Sequence, residues 1–197
     1  VHARARRPAL PAMGMVAMLS LFGVSHSAIL PVFAEQMLGG AHYFTWMVVA
    51  AGAGALLGAL AIGYRSQGTT MQGAALLMLG YSAAMAAFSF THLLAYALIA
   101  QFVIGWTYFA LMTSLQTLIQ TIVDESKRGR VMSLFQVCWA GLIPWGGLAM
   151  GKSAAELGVT VTLGAGAGIC GVYALGVWMW ARGSLAADVP APDSGLY

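Results

Sequence analysis

The sequence predicts an all-α, polytopic membrane protein with six transmembrane helices. Six long apolar stretches are separated by short polar joints, and positive charges lie almost entirely at alternate joints. Each stretch is about long enough to cross a bilayer, since a helix needs about 20 residues at about 1.5 Å each. The predicted spans cover residues 11–34, 43–63, 73–90, 93–119, 131–150 and 160–181.

The distribution of Lys and Arg predicts the orientation of the chain. Lys152 lies on one side of the predicted membrane, and the other basic residues lie on the opposite side. Because basic segments resist translocation, we expect the richer side to be the cytoplasm. The prediction is a bacterial inner-membrane protein with a cytoplasmic segment 1–10, a six-helix lobe 11–181 and a disordered cytoplasmic tail 182–197. The basic residues on the cytoplasmic side are Arg4, Arg6, Arg7, Arg65, Lys127, Arg128, Arg130 and Arg182.

Composition excludes a soluble domain and gives no support for a nucleic-acid partner. The chain is 60% hydrophobic and 8% charged, with a mean hydropathy of +0.81. A soluble domain of this composition would lack the polar residues to cover its surface. The pI near 9.1 comes from basic residues at loop ends, without a basic face that carries interleaved aromatic residues. The lipid bilayer is the expected environment, and nucleic acid is not an expected partner.

The motifs of several common enzyme classes are missing from the sequence. It contains no His-Glu-x-x-His zinc pair, no phosphate-binding Gly-x-x-x-x-Gly-Lys-Ser/Thr loop and no Gly-x-Ser-x-Gly elbow. Cys138 and Cys170 both lie inside predicted spans, where they are expected to be small buried apolar residues rather than a disulfide. We therefore predict no enzymatic activity, no metal and no cofactor.

The first two spans carry the clearest local features. The first contains a polar patch at residues 25–27, followed by Pro31. The second contains Gly54-x-x-x-Gly58 and Ala59-x-x-x-Gly63, a spacing that lets two helix backbones approach closely in lipid. We expect this glycine stripe to pack against a neighbouring helix.

The remaining spans differ in length and regularity. The third is short and without polar features, and the fourth is expected to extend beyond the bilayer to Ile122. Pro144 and its neighbouring glycines predict a kink in the fifth, whose freed backbone groups must find partners inside the bundle. The sixth carries Gly164-x-x-x-Gly168.

His26, flanked by two serines in the first span, is the first candidate site residue. A polar group in hydrocarbon costs several kcal/mol by rough estimate unless it is paired. A functional interpretation is a substrate contact or a proton-coupled switch, because imidazole titrates near neutral pH. The structural alternative is a neutral histidine that is hydrogen-bonded to a neighbouring helix.

The fourth span offers a polar stripe. Its members recur at steps of three and four residues, so they share one helix face. A face of amide, phenol and thioether groups could line a cavity for a mostly apolar solute, or it could hold helices together. Gln136 and Trp139 in the fifth span are weaker candidates, for which a packing role is favoured. The stripe consists of Gln101, Gly105, Tyr108, Met112 and Gln116.

The joint at residues 124–130 holds the densest charge cluster of the chain. One interpretation is a solvated loop that follows the positive-inside rule. The alternative is a cytoplasmic latch in which Asp124 pairs with Arg128 or Arg130 in one conformation and separates from them in another.

This joint also carries a family resemblance. Residues 115–120, 123–125 and 128–134 resemble the cytoplasmic loop between the tenth and eleventh helices of major facilitator superfamily transporters, closest to the exporters of siderophores and drugs. Residues 29–34 and the glycine-rich second span are similar to the seventh and eighth helices of that superfamily. The sequence departs from the family pattern at two places. Val123 stands where a proline usually precedes the acidic residue of the joint. Residues 58–61 match the first half of the family's Gly-x-Leu-Ala-Asp-Arg-type loop motif, but Ile62 and Gly63 replace its acidic and basic residues.

The resemblance implies the C-terminal half of a twelve-helix transporter, which forms one of two six-helix lobes. In this family the seventh and tenth helices line the cavity, and they correspond to the first and fourth spans here. The resemblance thus implies solute-binding roles for His26 and for the stripe of the fourth span. It also implies alternating access, an outward direction of transport and coupling to an ion such as the proton.

Several functions remain open from the sequence. The favoured one is a transporter half that works when joined, covalently or not, to an N-terminal half. A second is a six-span unit that forms a homodimer, and a third is a non-transporting membrane protein, either a remnant or an assembly partner. An intramembrane enzyme is a distant fourth. Since the spans carry no charge near mid-membrane, a small neutral or amphipathic solute is expected.

Overall fold

The computed structural model describes residues 9–64, 69–123 and 125–186, with the side chains of 184–186 excepted. Regular structure in these residues is helical throughout. Six segments are long and apolar enough to cross a membrane, which confirms the predicted all-α, six-span architecture. These spans are Ala9–Ala28, Tyr43–Gly63, Met71–Ser89, Leu94–Ile122, Glu125–Leu157 and Val159–Gly183.

The first span is not the continuous helix predicted over residues 11–34. An α-helix Ala9–Met18 passes into a π-helix Leu19–Gly23 and a 3-10 helix Val24–Ala28. A new α-helix, Leu30–Leu38, follows with Pro31 in its first turn and ends at Gly39, whose φ is 78°. Proline lacks the N–H that would continue the preceding ladder, so a new helix begins here more readily than the old one continues.

The fifth span is broken in a similar way. It consists of an α-helix Glu125–Gln136, a π-helix Val137–Gly141 and an α-helix Ile143–Leu157 with Pro144 in its first turn. The predicted kink is confirmed at this break. The prediction of 131–150 was too short at both ends, because hydropathy detects the part that crosses lipid and not helical turns that extend into water.

The other four helices follow the predicted spans closely. They are Tyr43–Gly63, Met71–Ser89, Leu94–Ile122 and Val159–Ala186. The fourth reaches Ile122 as expected. The sixth continues past residue 181, where the tail was predicted to begin. Residues 1–8 and 187–197, which hold most of the two predicted cytoplasmic segments, lie outside the described residues.

Glycines set the contact between the second and fourth spans. A Cβ atom on Gly54 or Gly58 would overlap the backbone of Phe102 or Trp106, and one on Gly105 would overlap the backbone of Ala51. The two backbones therefore touch, which confirms the packing predicted for Gly54-x-x-x-Gly58. The prediction was wrong for Gly63, whose Cβ position is open.

In the sixth span, the glycines of Gly164-x-x-x-Gly168 do not bring two helix backbones into contact. Gly168 has open space around its Cβ position, and Gly164 has a neighbour only at 3.8 Å. Gly166 and Gly171 make the close approaches instead, to the Phe22 carbonyl of the first span and the Ser82 hydroxyl of the third.

The second and fifth spans lie at the edges of the bundle. Only 17% and 11% of their apolar windows are buried, against 39–44% for the other four spans. Large apolar side chains on these two spans are exposed, among them Leu56, Trp145 and Leu148. The core lies between the first, third, fourth and sixth spans.

The close contact at Gly54 gives a stability prediction. Gly54→Ala should lower the free energy of unfolding by about 1–3 kcal/mol, because the added methyl group must displace the backbone of the fourth span. Gly52→Ala is the matched control on the same helix, since its Cβ position is open. Thermal unfolding of both variants in detergent would measure the difference. Equal midpoints would contradict the close packing.

Candidate functional site

A pocket of about 280 Å³ lies among the first four spans. The lining residues with polar side chains are Ser27, His26, Tyr81, Gln101 and Tyr108, and almost none of their polar surface is exposed in the pocket. Its walls are mostly apolar, and they include Val24, Leu30, Val48, Ala51, Ile104 and Phe109. The pocket opens on a side where Ser27, Val48 and Phe109 are exposed. Three of the predicted site residues, His26, Gln101 and Tyr108, thus line one pocket.

The break in the first span positions His26. Its ring Nδ1 lies 2.8 Å from the carbonyl oxygen of Gly23. A carbonyl oxygen can only accept, so Nδ1 carries a hydrogen and donates it. In the neutral ring, Nε2 is then a hydrogen-bond acceptor. His26 is 5% exposed, so this acceptor is buried within the bundle.

Unpaired polar atoms are concentrated in this pocket. Among the described residues, four buried side-chain atoms lack a hydrogen-bond partner, and three of them belong to pocket residues: His26 Nε2, Gln101 Nε2 and Tyr81 Oη. Gln101 is a polar neighbour of the imidazole, although neither of these nitrogen atoms has a partner of adequate hydrogen-bond geometry. Leaving a buried donor or acceptor unpaired costs about 1–3 kcal/mol. The surface of the pocket is almost entirely apolar, and these unpaired atoms lie behind it.

The fifth span reaches the pocket through Trp139. Its indole Nε1 donates a hydrogen bond of 2.6 Å to the hydroxyl of Tyr108. The Tyr108 ring also lies 6.3 Å from the Tyr81 ring and contacts Phe109 edge-on. Trp139 thus holds a pocket residue, a contact more specific than the general packing expected for it. Gln136 is exposed at the end of its helix.

Gly105 of the predicted stripe also lines the pocket, and the other two members, Met112 and Gln116, lie outside it. Met112 is buried in the apolar core, and Gln116 is exposed. Gln116 follows Gln101 by roughly 22 Å along the helix axis at about 1.5 Å per residue, which is longer than a pocket of this size. A shared helix face is therefore compatible with three different environments.

Tyr81 is a pocket residue that sequence reasoning missed, because the third span had no polar pattern. A phenol within a predicted span is itself a signal, since a tyrosine hydroxyl in hydrocarbon needs a partner. Tyr81 is fully buried, far from the membrane surfaces where tyrosines are commonly found.

Two larger grooves expose more polar surface than this pocket. The groove of about 680 Å³ between Pro11 and the sixth span contains the Tyr173 hydroxyl, which has a long contact of 3.4 Å with the Pro11 carbonyl. In a second groove, of about 530 Å³, the Thr70 hydroxyl accepts from the Gly73 amide and the Thr107 hydroxyl donates to its own helix. Neither groove contains the unpaired buried atoms that mark the smaller pocket.

The charged joint lies at the opposite end of the fourth span from its start at Leu94. Asp124, one member of the predicted latch, lies outside the described residues. Arg128 is 3.9 Å from Glu125 one turn away, and both side chains are largely exposed. Arg130 is exposed on the same helix. An exposed pair of this kind contributes about 0.2–1 kcal/mol.

The comparison with protein families identifies the chain. A family model described as "transmembrane secretion effector" matches residues 4–188. Neither the curated proteins nor the solved structures gave a match. The family model covers nearly the whole chain, and the six helices fit half of a transporter of the major facilitator type. The chain therefore belongs to the transmembrane secretion effector family of the major facilitator superfamily, a family of multi-pass membrane transporters.

Proposed function

We propose that the protein is the C-terminal half of a secondary active transporter that exports a small amphipathic solute by alternating access. The observation that carries this proposal is the apolar pocket among the first four spans, whose lining brings together His26, Gln101 and Tyr108. A concave, largely apolar pocket is the usual form of a small-molecule site, and a few polar residues at it fix the orientation of the ligand. Family membership gives the transporter class, and the resemblance to exporters supports the outward direction.

In this proposal the solute is bound by His26, Gln101 and Tyr108. Tyr81 lines the pocket from the third span, and Trp139 orients Tyr108. Met112 and Gln116 follow along the fourth span toward its cytoplasmic end, and we propose that they border the route between pocket and cytoplasm. The pocket has no Asp, Glu, Lys or Arg in its lining, which favours a solute without a strong charge.

Solute flux tests the site. His26→Leu should reduce efflux of an amphipathic fluorescent dye from cells by about tenfold, since losing one hydrogen bond to the solute corresponds to about 1.4 kcal/mol. His92→Leu is the matched control, because His92 is exposed near the start of the fourth span, outside the pocket lining. Efflux that is equal in the two variants, at equal amounts in the membrane, would remove His26 from the site.

A second six-helix half is the partner that alternating access requires. The edge positions of the second and fifth spans support this, because their exposed apolar faces flank the rest of the lobe. The partner is an N-terminal half, covalent or separate, or a second copy of this chain. The lobe is proposed to lie in a bacterial inner membrane with both termini cytoplasmic, in agreement with the distribution of Lys and Arg.

The mass of the protein in its native membrane distinguishes these partners. An antibody to residues 188–197 should detect a denatured band near twice 20.5 kDa if the N-terminal half is covalently attached, which is our expectation. A band near 20.5 kDa would exclude the covalent arrangement. Cross-linking in the membrane would then separate a homodimer from a pair of different halves.

The charged joint is proposed to act as a cytoplasmic latch. Asp124, Arg128 and Arg130 would pair across the joint in one conformation and separate in the other. Neutralising both bases, as Arg128→Gln with Arg130→Gln, should reduce dye efflux severalfold and leave the orientation of the termini unchanged. Lys152→Gln, on the proposed outer side, is the control for loss of charge. Normal efflux from the double variant would leave the joint with a role in topology alone.

The second candidate function is a non-transporting six-span protein, either a remnant or an assembly partner. The departures at residues 62–63 and 123 from the loop patterns of the superfamily favour it. Flux separates the two candidates: a complete assembly that moves no solute under any gradient would support the non-transporting function. An enzymatic function has no support in the transporter family to which the chain belongs.

A further inference from the structure

We propose that the pocket among the first four spans takes the apolar end of an amphipathic solute, and that Gly52 determines how large this end can be. The polar end of the solute then stays outside the mouth of the pocket. The inference rests on the proposed function, since it states which part of the solute the pocket binds. It is carried by the apolar surface of the pocket and by the open space at Gly52.

The surface inside the pocket is almost entirely apolar. The unpaired polar atoms of His26, Tyr81 and Gln101 lie behind it with essentially no exposed surface, and the Tyr108 hydroxyl is hydrogen-bonded to Trp139. A hydrocarbon group that enters from water therefore gains the free energy of apolar burial. A polar group would lose its hydration and find no partner in this conformation. The hydrogen bond to His26 proposed above would belong to another conformation of the transport cycle, in which Nε2 is exposed.

The size of the pocket fits an apolar group of about two rings. Its volume is about 280 Å³, and an apolar cavity of about 150 Å³ is large enough to bind benzene. Among the described residues, those that line the pocket include no Asp, Glu, Lys or Arg, so a charged end would have no counter-charge there. The expected occupant is a compact, uncharged hydrocarbon end.

Gly52 leaves part of the pocket wall without a side chain. It lines the pocket, and a Cβ atom at this position would meet no atom within 4 Å. A larger side chain can therefore be placed there without displacing a neighbouring backbone. Gly105 also lines the pocket, but its Cβ atom would overlap the backbone of Ala51. Gly63, on the same helix as Gly52, has an equally open Cβ position away from this pocket, so the two glycines form a matched pair.

A lipid acyl chain is the other apolar group that could fill the pocket. Lipid tails are about as apolar as the pocket wall, so an acyl chain gains little hydrophobic free energy by leaving the bilayer for the pocket. A solute taken from water gains that free energy in full. The solute is therefore the favoured occupant, and ligand binding distinguishes it from an acyl chain.

Three uncharged ligands differ in the size and freedom of their apolar end: phenyl β-D-glucoside, 2-naphthyl β-D-glucoside and the bis-β-D-glucoside of naphthalene-2,6-diol. The first two have a free end of one or two rings, and the third carries a sugar at both ends. Binding is measured to the whole chain in lipid nanodiscs, with empty nanodiscs subtracted to remove partitioning into lipid. The naphthyl glucoside should bind at least about tenfold more tightly than the other two, because it buries the most apolar surface without burying a sugar.

Two variants test the role of Gly52. Gly52→Leu should reduce the preference for naphthyl over phenyl glucoside to less than about threefold, because its side chain takes up space that the second ring needs. Gly63→Leu adds the same side chain away from the pocket and should keep the preference unchanged. Circular dichroism and thermal unfolding show whether each variant is folded. If Gly52→Leu does not fold, Gly52→Ala takes its place, with an expected loss of about threefold in naphthyl binding.

The outcomes separate this inference from the proposed function. Equal binding of the naphthyl glucoside and the bis-glucoside would overturn the insertion of an apolar end, and equal preferences in the two leucine variants would overturn the role of Gly52. Either result, together with dye efflux by the complete assembly, would leave the proposed transport function in place. Naphthyl binding no higher than to empty nanodiscs would overturn the pocket as a solute site and favour an acyl chain as its occupant. A complete assembly that moves no solute would overturn the proposed function itself.

Discussion

Backbone N–H and C=O groups inside a lipid bilayer need hydrogen-bond partners. This requirement determines the local structure of the first span and so the position of its residues at the pocket. A helix break inside a membrane frees carbonyl groups that water cannot reach, and each costs free energy unless a partner is found. At the break in residues 19–29, side chains of the same segment hydrogen-bond to the freed carbonyl groups. The Ser25 hydroxyl donates to the Ser20 carbonyl at 2.6 Å, and His26 donates to that of Gly23. The first role of the polar patch is thus to donate hydrogen bonds to backbone carbonyls that the helix break leaves unpaired.

The same constraint brings the breaks of the first and fifth spans together. Ser25 also lies 3.2 Å from the carbonyl oxygen of Ile143, just before Pro144. Gly146 follows one turn later, where a Cβ atom would overlap the Leu21 carbonyl and the Ser25 hydroxyl. The two broken segments therefore pack against each other. Trp139 lies in the π-helical turn of the fifth span, which places its indole within hydrogen-bonding distance of Tyr108. Local breaks in α-helix geometry therefore position His26 and Trp139, whereas Gln101, Tyr108 and Tyr81 come from regular helices.

The parts of the fold and of the site that the sequence predicted are those that hydropathy, charge distribution and helical spacing report. Hydropathy and charge distribution detect transfer to lipid, so the six spans were predicted well. The extra helical turns at both ends of the fifth span and the break at residues 19–29 were not predicted. Pro31 did indicate a helix start, but a hydropathy window averages over it. Gln101 and Tyr108 were found by helical spacing, which cannot separate a pocket from a core and so also included Met112. Tyr81 could be identified as a pocket residue only from the packed structure, because the arrangement of the neighbouring helices decides whether a buried tyrosine lines a pocket.

The two interpretations of His26 apply to different atoms of one ring. Its Nδ1 has the structural role, since it pairs with a carbonyl freed by the helix break. Its Nε2 has no such role, and a purely structural histidine would gain about 1–3 kcal/mol by pairing that atom as well. Gln101 and Tyr81 leave atoms unpaired in the same pocket. A protein that is stable by a small margin tolerates such a cluster most readily where water or a ligand completes it.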